Sequence, residues 1–325
     1  MSFTDCVDAL SNNDICILPT ETVYGLACSA FSDDAVRKVY KLKGRPPTNP
    51  LIVHTIDHDT AGDISFTNKY SEQLAKAFWP GPITFILPKK EPISDQITAG
   101  LSTVAVRSPS HPIFRKVLGK VKLPIAAPSA NPSNGLSPTK CEDAVSAFGE
   151  NCPPFIDGGQ CDIGIESTVL DLSLTSPRIL RLGPITRGSI ENVLGIQIHG
   201  NSLNKSKKVD SYLSPGQGLK HYSPSTPLFL YSSLEQLFQS NEIKENDVVL
   251  LPNSELVCPL AFKTCSVLYL SSSGDPKEIT KNIFNSLNLA DRLNKQRIHT
   301  ALYQSDHGLL LAVNDRLGRA ATKRF

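Results

Sequence analysis

No apolar run in this 325-residue chain approaches the ~18 residues that span a bilayer. The first residues, Met1 to Cys6, lack the basic start and apolar core of a secretory leader. The expectation is a soluble, cytoplasmic protein with no membrane partner. Excess charge is missing too: 33 Lys and Arg stand against 31 Asp and Glu, a formal net charge of +2. That balance excludes chain-wide attraction to nucleic acid, so any such partner has to be held by a local patch. The 8 cysteines include no Cys-x-x-Cys pair, and no His-Glu-x-x-His or Cys/His array accompanies them. Reduced, mostly buried thiols follow, with no protein-built metal centre.

The familiar nucleotide cradles are absent as well. There is no Gly-x-x-x-x-Gly-Lys-Ser/Thr, and Gly216-Gln-Gly218 neither follows a strand nor reaches a third glycine, which disfavours a P-loop or dinucleotide fold. No Gly-x-Ser-x-Gly elbow occurs, and the 7 histidines have no evident serine or cysteine partner. Covalent hydrolysis therefore has no support.

What is present is an α/β pattern in two parts. Helices are expected at 4–11, from the Ser32 cap to the Gly44 stop, at Asn68–Phe78, after Ser110 with Pro112, from a Thr139/Glu142 capping box to Phe148, and at Ile185–Leu194. Apolar runs at Ile15–Leu18, Leu51–Ile56, Ile83–Leu87, Thr103–Arg107, Ile125–Ala127, Phe155–Gly159, Thr168–Leu172 and Arg178–Leu182 read as strands or strand ends. The alternation is imperfect, so a twisted mixed sheet is expected. Composition shifts at Gly200: the stretch to Tyr222 is rich in lysine and reads as a linker. Leu228–Tyr231, Val248–Leu251, Val267–Leu270 and Thr300–Tyr303, with a long helix opening at Pro276, make a smaller α/β domain. Expected boundaries are 1–200, 201–222 and 223–325. The basic end from Asp315 to Phe325 reads as a solvated helical face.

The polar residues that could do chemistry cluster at predicted strand ends. From Pro19 to His54 the chain carries Thr20, Thr22 and Tyr24, then Lys41, Lys43 and Arg45 with no carboxylate between them. Arg107, Ser129-Ala-Asn131 with Ser137, Gly164–Val169, and Arg181 before Gly183 complete the set. Guanidinium forks grip phosphate or carboxylate in two-pronged contacts, while lysine and small hydroxyls approach oxygens closely. Together they fit a site for more than one anion. Singly, each has a plainer reading: a solvated helix end for Lys43 and Arg45, a turn for Ser129–Asn131, a surface histidine for His54, and structural ion pairs for Arg107 and Arg181.

In combination the segments resemble one family. Pro19-Thr-Glu-Thr-Val-Tyr-Gly-Leu26, Lys43-Gly-Arg-Pro46 with Asn49-Pro-Leu51, Trp79-Pro-Gly-Pro82, Val104-Ala-Val-Arg107, Ala127-Pro-Ser-Ala-Asn131, Glu166-Ser-Thr-Val169 and Ile179-Leu-Arg181 with Gly183-Pro184 occur in the order found in the YrdC-like threonylcarbamoyl-AMP synthases. Ser214-Pro-Gly216 and Lys220-His-Tyr-Ser-Pro224 resemble the linker of the two-domain branch. Leu182 and Gln217-Gly-Leu219 depart from the family pattern.

The resemblance implies a twisted α/β domain with a large concave face and a small Rossmann-like C-terminal domain. It implies an enzyme joining L-threonine, bicarbonate or CO2, and ATP into threonylcarbamoyl-AMP and pyrophosphate, with Mg²⁺ held mainly through the phosphates. A separate tRNA threonylcarbamoyl transferase complex would use the product at the adenosine beside the anticodon; direct tRNA binding, if any, would be weak. By the same resemblance Thr22, His54, Arg107, the Ala127 backbone and Ser167 would contact threonine. Lys43, Arg45, Asn49, Thr103, Ser129, Asn131, Ser137 and Arg181 would serve ATP, with Lys43 and Arg45 catalytic. Tyr222 would lie over the nucleotide, making 201–222 a lid as well as a linker. The rival reading is a non-catalytic RNA-binding protein using the same basic face. Carbamoyl-transfer proteins of hydrogenase maturation contain a related domain, but the cysteine-rich zinc modules that accompany it there are missing here.

Overall fold

The computed structural model describes residues 2–198, 222–256, 262 and 264–325. In chain order the elements are α1 (Phe3–Ser11), β1 (Cys16–Leu18), β2 (Gly25–Ser29), α2 (Asp33–Lys43), β3 (Ile52–His54), α3 (His58–Ile64), α4 (Lys69–Phe78), β4 (Ile83–Pro88), α5 (Asp95–Thr98), β5 (Thr103–Arg107), α6 (Pro112–Val121), β6 (Ile125–Ala126), α7 (Cys141–Phe148), β7 (Thr168–Asp171), β8 (Arg178–Arg181) and α8 (Arg187–Leu194). After the undescribed stretch come β9 (Leu228–Tyr231), α9 (Leu234–Phe238), β10 (Val248–Asn253), β11 (Ser266–Ser271), α10 (Pro276–Arg292), β12 (Ile298–Ala301), α11 (Gly308–Ala320) and β13 (Lys323–Arg324). Among the described residues no helix is long and apolar enough to cross a membrane.

The chain divides into two compact units, and segments 134–137 and 163–165 group with the second, later one. The first unit is built on a sheet ordered β1-β2-β6-β3-β5-β4-β7-β8. Its β3/β5 and β4/β7 pairs are parallel and the others antiparallel, so the mixed sheet expected from the sequence is observed. Because side chains alternate along a strand, the strands' two faces can be separated by residue. Val53, Val104 and Val106 join one large apolar cluster with Ala35, Val36 and Val39 of α2 and Ile97 of α5. Phe85, Leu87 and Leu170 join another with Leu74 of α4 and Ile190 of α8. The opposite face carries a small apolar strip, Ile52, Ile86, Ala105 and Val169.

Local signals place most helices where the sequence puts them. Ser32 caps α2 through the Ala35 N–H, and Gly44 ends it at φ +59°, the left-handed stop that glycine adopts without strain. Helix α7 differs: it starts at Cys141 with Lys140 as its cap residue and no side-chain cap bond. Thr139 is held one position upstream, its carbonyl accepting from Cys161 N–H, and its side chain is buried, so the expected capping box does not form. The Phe155–Gly159 strand reduces to a single bridge from Phe155 to Ile17.

The second unit holds a parallel sheet ordered β11-β10-β12-β9-β13. Strand β12 begins at Ile298 rather than Thr300, because Ile298 pairs with both Leu228 and Val248. The basic C-terminal end is not wholly a solvated face. Arg316 is 1% exposed, with its guanidinium 5.5 Å from the Tyr222 ring centre and Nη1 donating to Asp315 at 3.1 Å. Gly164, at φ +82°, lies against α10 so closely that a Cβ there would fall 2.3 Å from the Lys281 carbonyl oxygen.

Candidate active site

Two ends of one sheet face collect the predicted residues. Thr103, Ala105 and Arg107 alternate onto the same side of β5, and the register partners Ile52↔Ala105 and His54↔Arg107 put β3 residues beside them. Arg107 and His54 therefore mark the C-terminal ends of these parallel strands. Thr103 lies at the other end, about 13 Å away at the usual rise per residue, on the side where β3 begins just after Asn49 and Pro50.

At the C-terminal end the loop between β1 and β2 folds on itself. Thr20 Oγ1 donates to Val23 O at 2.6 Å and accepts from the N–H groups of Thr22 and Val23. Its one proton is then spent, so the Thr22 hydroxyl donates across the 2.8 Å contact between the two side chains. That leaves Thr22 Oγ1 to accept from Arg107 Nη1 at 3.0 Å. Arg107 Nε donates to Gly81 O, and Nη2 stands 2.8 Å from Glu21 Oε1. Glu21 and Arg107 are both buried. Burial pushes the Glu21 carboxyl up, but the Arg107 guanidinium and nearby backbone N–H groups outweigh it and hold the pKa below the usual carboxylate value. His54 is buried rather than at the surface, with Nδ1 3.2 Å from Ile125 O and its ring against Phe114. Burial, aided by the Arg107 charge, pushes its pKa down to about 3, so the imidazole is neutral at neutral pH.

Ser167 and Arg181 attach to the same end through β4. Thr168 N–H donates to Pro82 O, next to the Gly81 carbonyl that Arg107 uses. Ser167 Oγ is 2.8 Å from Thr84 Oγ1, while Arg181 donates from Nε to Ser167 O at 3.0 Å and from Nη2 to Ser167 Oγ at 3.1 Å. Close approach of the two strands requires Gly183: a Cβ there would lie 2.4 Å from Thr168 N and 2.7 Å from Ser167 C. Leu182 packs on the cluster of Leu170 and Ile179.

Lys43 and Arg45 are not a solvated helix end; they are 3% and 8% exposed. Lys43 Nζ donates to Ser129 O at 2.5 Å and to Asn131 O, and Ser133 N–H returns to Lys43 O. Burial, with Arg45 adding like-charge repulsion, holds the Lys43 pKa well below its ordinary value. Asn131 Nδ2 donates to Pro132 O. Arg45 donates from Nε to Asn49 O at 3.0 Å and from Nη2 to Pro50 O at 2.7 Å, fixing the turn into β3. Tyr24 joins this group to the Thr22 loop, since Ala130 N–H donates to Tyr24 O and the Gly25↔Ser129 bridge follows. Ala127 N–H donates to Ile52 O at 3.0 Å.

The first unit thus brings Thr22, His54, Arg107, Ser167 and Arg181 into one linked set and Lys43, Ser129 and Asn131 into another, with Arg45, Asn49 and Thr103 where β3 and β5 begin. Ser137 and Tyr222 belong to the second unit. Ser137 is buried there; Tyr222 has φ +64° and packs its ring 5.5 Å from Phe284. The rest of the expected linker, Gln217–Leu219 included, lies outside the described residues. Sequence reasoning passed over Glu21. The signal was available: an acid two residues after proline, within a threonine-rich strand exit, that has to be paired if buried.

A family model described as "Telomere recombination" matches residues 8–183, and one described as "Threonylcarbamoyl-AMP synthase, C-terminal domain" matches residues 185–322. The chain is 37% identical over 317 residues to the threonylcarbamoyl-AMP synthase of Pyrococcus abyssi (strain GE5 / Orsay), covering 94% of this chain and 90% of that protein. To the protein of the same name from Bacillus subtilis (strain 168) it is 36% identical over 345 residues, covering 99% and 97%. Its fold matches the crystal structure of P. abyssi Sua5 complexed with L-threonine with a TM-score of 0.88 and 34% identity, over 99% of this chain and 96% of that one.

Proposed function

Since the chain belongs to the threonylcarbamoyl-AMP synthase family, enzymes of the nucleotidyltransferase type, we propose that it condenses L-threonine, bicarbonate or CO2, and ATP into threonylcarbamoyl-AMP and pyrophosphate. The product would serve, in the cytoplasm, a transferase complex that modifies the adenosine beside the tRNA anticodon. The observation that carries this reading is the sheet face itself. Arg107 and Arg181 are tied to the Thr22 and Ser167 hydroxyls at one end, with Arg45 and Thr103 at the other and, among the described residues, no activated nucleophile between them.

That composition suits the chemistry. The amine attacks CO2 and the carbamate oxygen attacks the α-phosphate, so the protein has to orient reactants and stabilise charge rather than form a covalent bond. Arg107 would take the threonine carboxylate, with Thr22, neutral His54, Ser167 and the Ala127 backbone around the amino acid. Lys43, Arg45, Asn49, Thr103, Ser129, Asn131 and Arg181 would serve the nucleotide, Lys43 and Arg45 acting on the charge that develops as pyrophosphate leaves. Among the described residues no three His, Cys, Asp or Glu side chains gather to hold a metal ion, so Mg²⁺ would enter on the phosphates and neutralise part of their charge.

An RNA-binding role for the same face has nothing in its favour, because Lys43, Arg45, Arg107 and Arg181 are all buried instead of displayed to a phosphate backbone. The test is an assay with L-threonine, bicarbonate, ATP and Mg²⁺ together, with the product identified by mass. Pyrophosphate should appear only when all are present. Pyrophosphate without threonine, or none with the full set, sinks the assignment.

A further inference from the structure

Glu21 has no place in the catalytic reading above, yet it sits beside the group expected to grip the amino acid. Glu21 is 4% exposed, and its Oε1 lies 2.8 Å from Arg107 Nη2. The contact is a buried ion pair whose hydrogen bonds are poorly aligned: Glu21 Oε1, Glu21 Oε2 and Arg107 Nη2 are all buried, and the backbone N–H groups of Glu21 and Ser110 lie close enough to favour the charged carboxylate without full alignment. Buried polar atoms in that state are rare and point to a ligand or a function. Among the described residues the other titratable groups in electrostatic range of this pair are His54, whose pKa burial lowers, Cys161, whose thiol pKa burial raises, and His111. His111 is within electrostatic range of Glu21 but holds a lowered pKa through burial, and Asp162 is exposed, so water screens it.

The electrostatic consequence concerns which ligand Arg107 accepts. A lone buried guanidinium attracts any carboxylate. A guanidinium whose charge is already matched by a carboxylate at contact distance offers a second carboxylate that arrives alone little net attraction, because repulsion from the first offsets most of it. A ligand with its own ammonium cancels this repulsion, because its net charge is zero. We propose that Glu21 is a specificity-determining residue: it sets the Arg107 subsite to receive a zwitterionic amino acid in preference to a simple carboxylic acid. Glu21 does this by orienting Arg107 and subtracting its charge. The proposal rests on the reading that Arg107 binds the threonine carboxylate.

Calorimetric titration of the full chain with L-threonine and with 3-hydroxybutanoate, which keeps the carboxylate and hydroxyl but lacks the ammonium, tests it. The wild type should bind L-threonine about 10-fold or more tightly than 3-hydroxybutanoate. In Glu21→Gln the gap should shrink to about 3-fold, mainly because 3-hydroxybutanoate gains, whereas Glu21→Asp, which keeps the charge, should preserve it. A merely structural role would weaken both ligands alike. Equal binding of the two ligands by the wild type overturns the proposal even if Glu21→Gln fails to fold. So does an unchanged gap in folded Glu21→Gln. Those outcomes leave threonine binding intact; a wild type that binds no threonine defeats the parent reading and the proposal with it.

Discussion

Gly183→Ala is the substitution whose effect the structure fixes most tightly. The added methyl carbon would sit 2.4 Å from Thr168 N, 2.7 Å from Ser167 C and 2.8 Å from Thr168 Cα, where normal carbon contacts begin near ~3.5 Å. All three atoms are backbone, so no rotamer relieves the clash, and β7 and β8 have to part by roughly 1 Å. These strands already carry a register irregularity between Val169 and Leu170, which offers a place to yield. Overpacking of this kind costs about 3 kcal/mol, equivalent to a lowering of Tm by roughly 6–12 °C for a unit of this size. The displacement falls on Ser167, which receives both Arg181 donors, so KM for ATP and for threonine should rise together by about 10-fold or more. Thermal melting and steady-state pyrophosphate release read the two effects separately. Gly188→Ala is the control: it lies in α8, a Cβ there meets nothing within 4 Å, and stability should be unchanged or higher by up to about 1 kcal/mol. A Gly183→Ala protein that melts with the wild type and keeps both KM values refutes the reasoning.

Arg45→Ala should cut turnover by about 100-fold while circular dichroism shows a folded chain; near-normal kinetics would remove Arg45 from the site. The acid limb of stability should depend on His54. Its folded pKa of about 3 lies below the ordinary 6.5, so the unfolded chain binds the extra proton and stability falls as pH drops from 6.5 through 3. His54→Asn, which can still donate to Ile125 O, should flatten that slope in urea titrations run from pH 7 to about pH 4; an identical slope would show that folding does not lower the His54 pKa. Lys43, held well below 10.5 by burial and then Arg45, should have its pKa raised when an anion binds nearby. ATP binding should then take up a proton in the window below 10.5. Calorimetry in buffers of different ionisation enthalpy reads that uptake, and Lys43→Met should abolish it; uptake that persists in the variant assigns it elsewhere.

What the sequence makes legible is what local physics decides. Ser32 and Gly44 bracket α2 because a cap oxygen and a left-handed glycine act within one turn, and Pro276 opens α10 for the same reason. Strand ends at Arg107 and Arg181 are readable from short apolar runs. Burial of charge is different, since it depends on what arrives from far along the chain. Arg316 looks like one basic residue among several near the C-terminus, but it is a core side chain stacked against Tyr222, far from it in sequence. Thr139 carries a helix-cap signature, but its carbonyl is claimed by Cys161, a partner 22 positions away by the numbering of that bond. The membership of 134–137 and 163–165 in the second unit likewise has no local mark.

Lys43 and Arg107 show two ways to bury a cation, and the difference bears on what each end of the face can bind. Arg107 meets a carboxylate at 2.8 Å, which cancels its charge at short range and leaves a polar but nearly neutral locus. Lys43 instead points at the carbonyl oxygens of Ser129 and Asn131. Carbonyl dipoles orient an ammonium and offset part of its desolvation without neutralising it, and the neighbouring Arg45 charge opposes it further. That arrangement is costly for the protein alone, and a polyanion laid along Lys43 and Arg45 would relieve it. A triphosphate suits such an end and a zwitterion the other. The chain encodes this contrast in the placing of one acid, Glu21, rather than in the count of its basic residues.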